Sequence, residues 1–191
     1  MVLGTALTVA LGAVTVALLG EAGQSMLAGS AVALVGFGFA TWFVGRKLVK
    51  LSWSDLRWRV PQAAIRGLAI GLLLGVVPAA AALLIAIPAA GAAIVPDTAT
   101  PGSYLAQVGL TFVVLLPAAL FEELAFRGVA QVVLAQAFGR CRALVGLSLL
   151  FALAHLANDH TTVLGITNIG LAGIFLGMAF YLPGGIWTAW G

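Results

Sequence analysis

Phe121-Glu122-Glu123-Leu124-Ala125-Phe126-Arg127-Gly128 sets two adjacent carboxylates and an arginine in the middle of a stretch otherwise suited to lipid. The surrounding chain has 191 residues, 62 % of them hydrophobic and only 8 % charged, with a mean hydropathy of +1.15. A soluble domain is about half apolar and about a quarter charged, so both departures point to a membrane protein. A charge near the bilayer centre is costly; where one occurs it is paired, turned away from lipid and functional by default. The remainder of the chain reads as the housing of this cluster.

Working outward, apolar runs cover residues 3–19, 26–45, 63–90, 104–138, 143–156 and 163–182, and Gly184-Gly185-Ile186-Trp187 opens a further one. At about 20 residues per crossing, the sequence predicts an all-α, polytopic transmembrane helix bundle of about six complete helices plus a truncated seventh. Residues 1–191 are expected to form a single integral membrane domain. Pro78 and Pro88 are expected to kink the third helix. Pro117 lacks a backbone donor and is expected to kink or break the long fourth, which Arg140 and Arg142 are expected to close. Pro96, Asp97, Pro101 and Gly102 mark a loop.

Arg46, Lys47, Lys50, Arg57, Arg59 and Arg66 interleave with Leu48, Leu51, Trp53, Leu56 and Trp58. This pattern predicts a basic interfacial segment on the membrane surface, with Ser54 or Asp55 placed to cap a short helix. It could contact substrate or anionic lipid, but a cytoplasmic loop obeying the positive-inside rule is the favoured reading. With Arg140 and Arg142 on the same side, the N-terminus is expected in the cytoplasm. Glu21, Asp97 and Asn158-Asp159-His160 then fall outside. The net charge of +3 rests on so few groups that it speaks for topology and lipid headgroups and against nucleic acid. The lone Cys141 excludes an internal disulfide. Met1-Val2-Leu3-Gly4 lacks a basic n-region, so the first apolar run is expected to be a retained helix.

Within the opening stretch, Glu123 and Arg127 are one helical turn apart, and Glu122 is rotated by about 100° from Glu123. Arg127 is thereby placed to neutralise Glu123, leaving Glu122 for another partner. His155 is the candidate. Glu122 lies 18 residues before Arg140 and His155 lies 13 after Arg142. On helices these spacings are roughly 27 and 20 Å, similar depths on adjacent antiparallel elements. Phe151, one turn from His155, would shield one side of the imidazole. A buried Glu–Arg pair can equally serve only to lock helices, and a lone histidine can be a satisfied interface residue. Their coincidence at one depth favours a site.

Glu122-Glu123-x-x-x-Arg127 followed by Phe151-x-x-x-His155 resembles the CAAX protease and bacteriocin-processing family, the Abi or CPBP intramembrane proteases related to the Rce1 CAAX prenyl endopeptidase. Phe126-Arg127-Gly128, an apolar helix carrying Asn168 and Gly173, and the run from Gly184 to Ala189 agree with it. The resemblance covers about residues 100–191, and its two motifs in this order are fairly specific. It implies an intramembrane endopeptidase in which Glu122 activates water for peptide hydrolysis. His155 would hold or polarise that water, and Glu123 with Arg127 would support the site. Phe126 and Phe151, the aromatic neighbours, are expected to contact substrate. No cofactor is assigned. A divalent metal such as zinc stays open, although there is no His-Glu-x-x-His helix and a Glu/His pair is a thin ligand set.

The family's third motif, His-x-x-x-Asn or Asp, thought to stabilise the oxyanion, is absent before Gly191. The chain is therefore expected to be C-terminally truncated and impaired, since an oxyanion donor is worth around 3 kcal/mol. Alternatives are a non-catalytic membrane immunity or scaffold protein on the same fold, or a small transporter using Glu122 and Glu123 as a relay. The expected partners are a peptide or protein substrate in the membrane and the lipid bilayer. The Ala- and Gly-rich composition suggests a bacterial plasma membrane, where a prenylated substrate is less expected than a bacteriocin or another membrane peptide.

Overall fold

The structure, a computed structural model, describes residues 26–58, 62–91, 100–159 and 161–191. The apolar run 3–19 lies outside the described residues, as do Glu21, Arg59, Asp97 and His160. Every regular element among the described residues is helical. These are α1 (Met26–Leu48), α2 (Gln62–Ala89), α3 (Pro101–Arg127), α4 (Val129–Phe138), α5 (Arg140–Ala154), α6 (Val163–Ala179) and α7 (Ile186–Trp190). The last turns of α1, Thr41–Leu48, are π-helical. Three stretches are long and apolar enough to cross a membrane: α1, α2 and the 38-residue run Pro101–Phe138 formed by α3 and α4. Along α2 the large apolar side chains Leu72, Leu73, Val76, Val77, Leu83, Leu84 and Ile85 are exposed, which is the surface lipid covers in an integral membrane protein.

The long fourth helix is interrupted, but not at its proline. Pro117 sits inside α3, as Pro78 and Pro88 sit inside α2. The break falls at Gly128, whose ψ of −120° leaves the helical region. A Cβ there would meet the Leu124 carbonyl oxygen at 2.6 Å, so the break needs a residue without a side chain. A second glycine, Gly139 with φ 86°, ends α4. Arg140 and Arg142 consequently open α5 and do not close the helix before it.

The chain divides into two compact units, Met1–Gly38 with Val95–Phe121, and Phe39–Ile94 with Glu122–Gly191. In the first, Phe37 and Phe121 stack with ring centroids 6.0 Å apart. The second contains the opening carboxylates and everything described below.

In the second unit α5 packs on α6 and α2 on α7. Glycines make both approaches close, as expected where lipid supplies no hydrophobic drive between helices and packing must do the work. A Cβ on Gly173 would lie 3.1 Å from Ser148, and one on Gly177 would run into Leu144. On α2, Gly67 and Gly71 face α7: a Cβ on Gly71 would stand 2.5 Å from the Thr188 carbonyl oxygen and 2.8 Å from Gly191 Cα. Those neighbours are backbone and cannot swing aside. Gly71→Leu is therefore expected to displace α7 and cost about 1–3 kcal/mol, the usual range for overpacking. Gly75, one turn on, has open space around it, so Gly75→Leu serves as the silent control in thermal unfolding in detergent.

The basic segment differs from the helix expected there. Ser52 and Asp55 bond reciprocally, the Ser52 amide donating to Asp55 Oδ2 at 2.7 Å and the Asp55 amide to Ser52 Oγ at 3.0 Å. The Ser52 hydroxyl, which donates to Asp55 Oδ2 at 2.6 Å, and the Ser52 amide together hold the Asp55 carboxyl below the usual carboxylate range. The capping residue is thus Ser52, and what it caps is a single turn. The turn ends because Arg57 adopts φ 54°. From there the Arg57 guanidinium donates to the Tyr181 and Leu182 carbonyls, both at 3.0 Å. Arg140 lies over the Tyr181 ring, 5.2 Å from its centroid. Both basic clusters therefore meet at one end of this unit, just beyond the C-terminus of α6.

Candidate active site

The last turn of α3 carries the cluster. Arg127 Nη1 donates to Glu123 Oε1 at 3.2 Å, and both side chains are sealed, 2 % and 4 % exposed. The second guanidinium nitrogen, Nη2, donates to the Gly173 carbonyl of α6 at 3.2 Å. That carbonyl is reachable because neither Gly173 nor its neighbour one turn on has a side chain to stand in the way. Arg127 also lies over the Phe151 ring, 4.6 Å from its centroid. Its charge is thus met by a carboxylate, a peptide dipole and an aromatic face. Glu123 Oε2 is buried with no hydrogen-bond partner among the described residues.

Glu122 points elsewhere, as a rotation of about 100° per residue requires. Its Oε1 lies 3.9 Å from His155 Nε2, and these two side chains are the open part of the cluster, 31 % and 21 % exposed. His155 is the C-cap of α5, and its Nδ1 is 2.7 Å from the Phe151 carbonyl oxygen. A carbonyl can only accept, so Nδ1 carries the proton and, in the neutral ring, Nε2 presents its lone pair toward Glu122. A gap of 3.9 Å is too long for a direct hydrogen bond and suits one small molecule bonded to both atoms.

The two aromatic candidates sit behind this pair. Phe151 is buried and packs against His155, ring centroids 4.5 Å apart, while half-buried Phe126 meets Phe151 edge-on at 5.1 Å. Phe151 therefore fixes the imidazole from two directions, through its ring and through its carbonyl. Asn168 of α6 is exposed and outside the cluster.

Gln131 was not singled out in the sequence. It is 1 % exposed, and its Nε2 donates to the Gly177 carbonyl at 2.9 Å. Arg127 and Gln131, four residues apart across the Gly128 break, thus grip two α6 carbonyls that are themselves four apart. The signal was an amide one turn beyond the arginine in an apolar run. The donors able to hold a metal at the open pair are Glu122 and His155. No group of three His, Cys, Asp or Glu side chains stands together among the described residues. That set does not fit a catalytic zinc, which takes three protein ligands.

No curated protein and no solved structure matches this chain. Residues 104–191 match a family model, and that segment contains every group of the cluster: the carboxylate pair, its arginine, Gln131, the Phe151–His155 turn and the α6 glycines. Over those residues the chain is similar to the family described as type II CAAX prenyl endopeptidase Rce1-like.

Proposed function

We propose that this protein is an intramembrane endopeptidase of the CAAX-protease type, hydrolysing a peptide bond of a membrane-embedded peptide or protein with a water activated by Glu122. The observation that carries the reading is the facing of Glu122 Oε1 and His155 Nε2 across 3.9 Å in the exposed half of an otherwise sealed cluster. A water held there donates one O–H to the carboxylate and the other to Nε2. Its lone pair is then free to attack a carbonyl carbon. Glu122 takes the proton as the C–O bond forms and returns it to the departing amine as the C–N bond breaks. His155 orients the water, and the Phe151 carbonyl holds His155 in the tautomer this needs. Glu123 and Arg127 position the turn without touching substrate. Phe126, the more open of the two rings, is the one placed to meet an apolar substrate side chain.

Both basic clusters lie at one end of the second unit, which by the positive-inside rule is the cytoplasmic end. With the protein reconstituted in liposomes alongside a membrane-anchored peptide reporter, His155→Gln is expected to lower the cleavage rate by about 10²-fold. The melting temperature should stay put, because the ring is partly open at a helix end. A host phenotype kept intact by both Glu122→Ala and His155→Ala would overturn this reading and favour a non-catalytic immunity or scaffold role.

A further inference from the structure

At the basic end of the second unit a cleft of about 380 Å³ opens between the Ser52–Trp58 turn, the start of α2 and the loop before α7. Its walls include Arg57, Gln62, Ala63, Arg66 and the backbone of Gly184 and Gly185, and among the described residues its lining includes two arginines and no carboxylate. The nearest acid in sequence, Asp55, is bonded to Ser52 and is not part of the lining.

The cleft is built. Arg57 is held by two bonds to α6-end carbonyls, so its guanidinium does not have to be ordered when a ligand arrives. Gly184 and Gly185, at φ 107° and 62°, turn the opposite wall back on it; a Cβ on Gly185 would collide with the Arg57 carbonyl. Gln62 and Arg66 are one turn apart on the first turns of α2 and share a face, with the small Ala63 leaving the room. Arg66 offers a planar fork, and Arg57, whose Nη2 is taken up by the two carbonyls, adds a second positive charge beside the same space; together they suit the oxygens of a phosphate group.

The level of the cleft indicates where that phosphate comes from. α2 is long and apolar enough to cross a membrane, and the cleft lies at its first residues. Trp53, Trp58 and Trp187 pack edge to face beside it, each successive pair 5.7 Å apart. Clustered tryptophans belong to the headgroup layer, where phosphodiesters are the abundant anions. The candidate active site is at the other end of α6. A Cβ on Gly170 would lie 3.7 Å from that of Ala152, which sets His155 level with the N-terminal half of that helix. Roughly 20 Å of helix separate the two.

We propose that this cleft is a binding site for the phosphate oxygens of an anionic headgroup, supplied by the bilayer's own phospholipid. Native mass spectrometry of the full chain, released from micelles holding equal phosphatidylglycerol and phosphatidylcholine, reads the selectivity directly. Wild type is expected to retain one phosphatidylglycerol in preference. Arg66→Gln and Ala63→Glu are each expected to lower that preference roughly five- to tenfold. Arg66→Lys, which keeps the charge and loses the fork, should fall between. Arg142→Gln, an exposed arginine outside the cleft, controls for bulk attraction and should change nothing. Displacement by millimolar glycerol 1-phosphate would assign the same oxygens to a soluble phosphate ester; no displacement assigns them to the lipid. Equal retention of the two lipids, or an Arg142→Gln loss as large as that of Arg66→Gln, would overturn the proposal.

Discussion

Glu122→Gln is expected to reduce the single-turnover cleavage rate by about 10²- to 10⁴-fold, the contribution of a positioned general base. The amide has nearly the size of the carboxylate and keeps its contact with the water, but it cannot take a proton at neutral pH. The loss should fall on kcat with KM little changed, because proton transfer stabilises only the transition state. Folding should be barely affected, since Glu122 is the more exposed of the two acids and makes no buried ion pair. That separation is the diagnostic part. The same exchange at Glu123 removes the partner of a sealed arginine and should show first as a lower melting temperature. Undiminished cleavage by Glu122→Gln in proteoliposomes would remove Glu122 from the chemistry.

Arg127→Met should be the most destabilising single change in the second unit, at about 3–5 kcal/mol, the range for breaking a buried ion pair from one side. Methionine fills much of the volume, so the loss is electrostatic: Glu123 is left almost fully buried, and the Gly173 carbonyl loses its donor. The double variant Glu123→Gln/Arg127→Met should recover a large part of the loss, because no charge is then stranded. Such non-additivity is expected for groups in direct contact. Equal unfolding midpoints for the single and double variants, measured in one detergent, would show that the pair carries no coupling energy and that the arginine matters only through Gly173.

The helical, membrane-spanning character of the chain was legible because it depends on composition summed over long windows. The split between the two glutamates was legible for a similar reason: helical spacing alone turns Glu123 toward Arg127 and Glu122 away. Boundaries were harder. Pro117 looked like the break because proline forbids one hydrogen bond, yet a helix in an apolar setting tolerates that locally. Gly128 looked innocuous, because the conflict that makes it necessary is with the Leu124 carbonyl and exists only once the chain has turned. Moving the break from Pro117 to Gly128 and adding a stop at Gly139 is what reconciles depths of roughly 27 and 20 Å along continuous helices with side chains 3.9 Å apart. Gln131 and the route of Arg57 to α6 were hidden for another reason. Their acceptors are backbone carbonyls, which carry no letter in a sequence.

The two-rung grip of Arg127 and Gln131 on the carbonyls of Gly173 and Gly177 has a mechanical corollary. Donors and acceptors share a four-residue repeat, so sliding α6 along its axis by a small amount breaks both bonds. The next position in which a donor again meets a glycine carbonyl is about 5.4 Å away, one full turn. Displacement in either direction re-forms a single rung and leaves a buried donor, the guanidinium or the amide, facing a residue that bears a side chain. The α5–α6 hairpin is thus indexed against α3 and α4 like a pin in a two-hole plate. A motion of this hairpin that widens the gap between Glu122 and His155 is expected to pivot about that pin and not to slide past it.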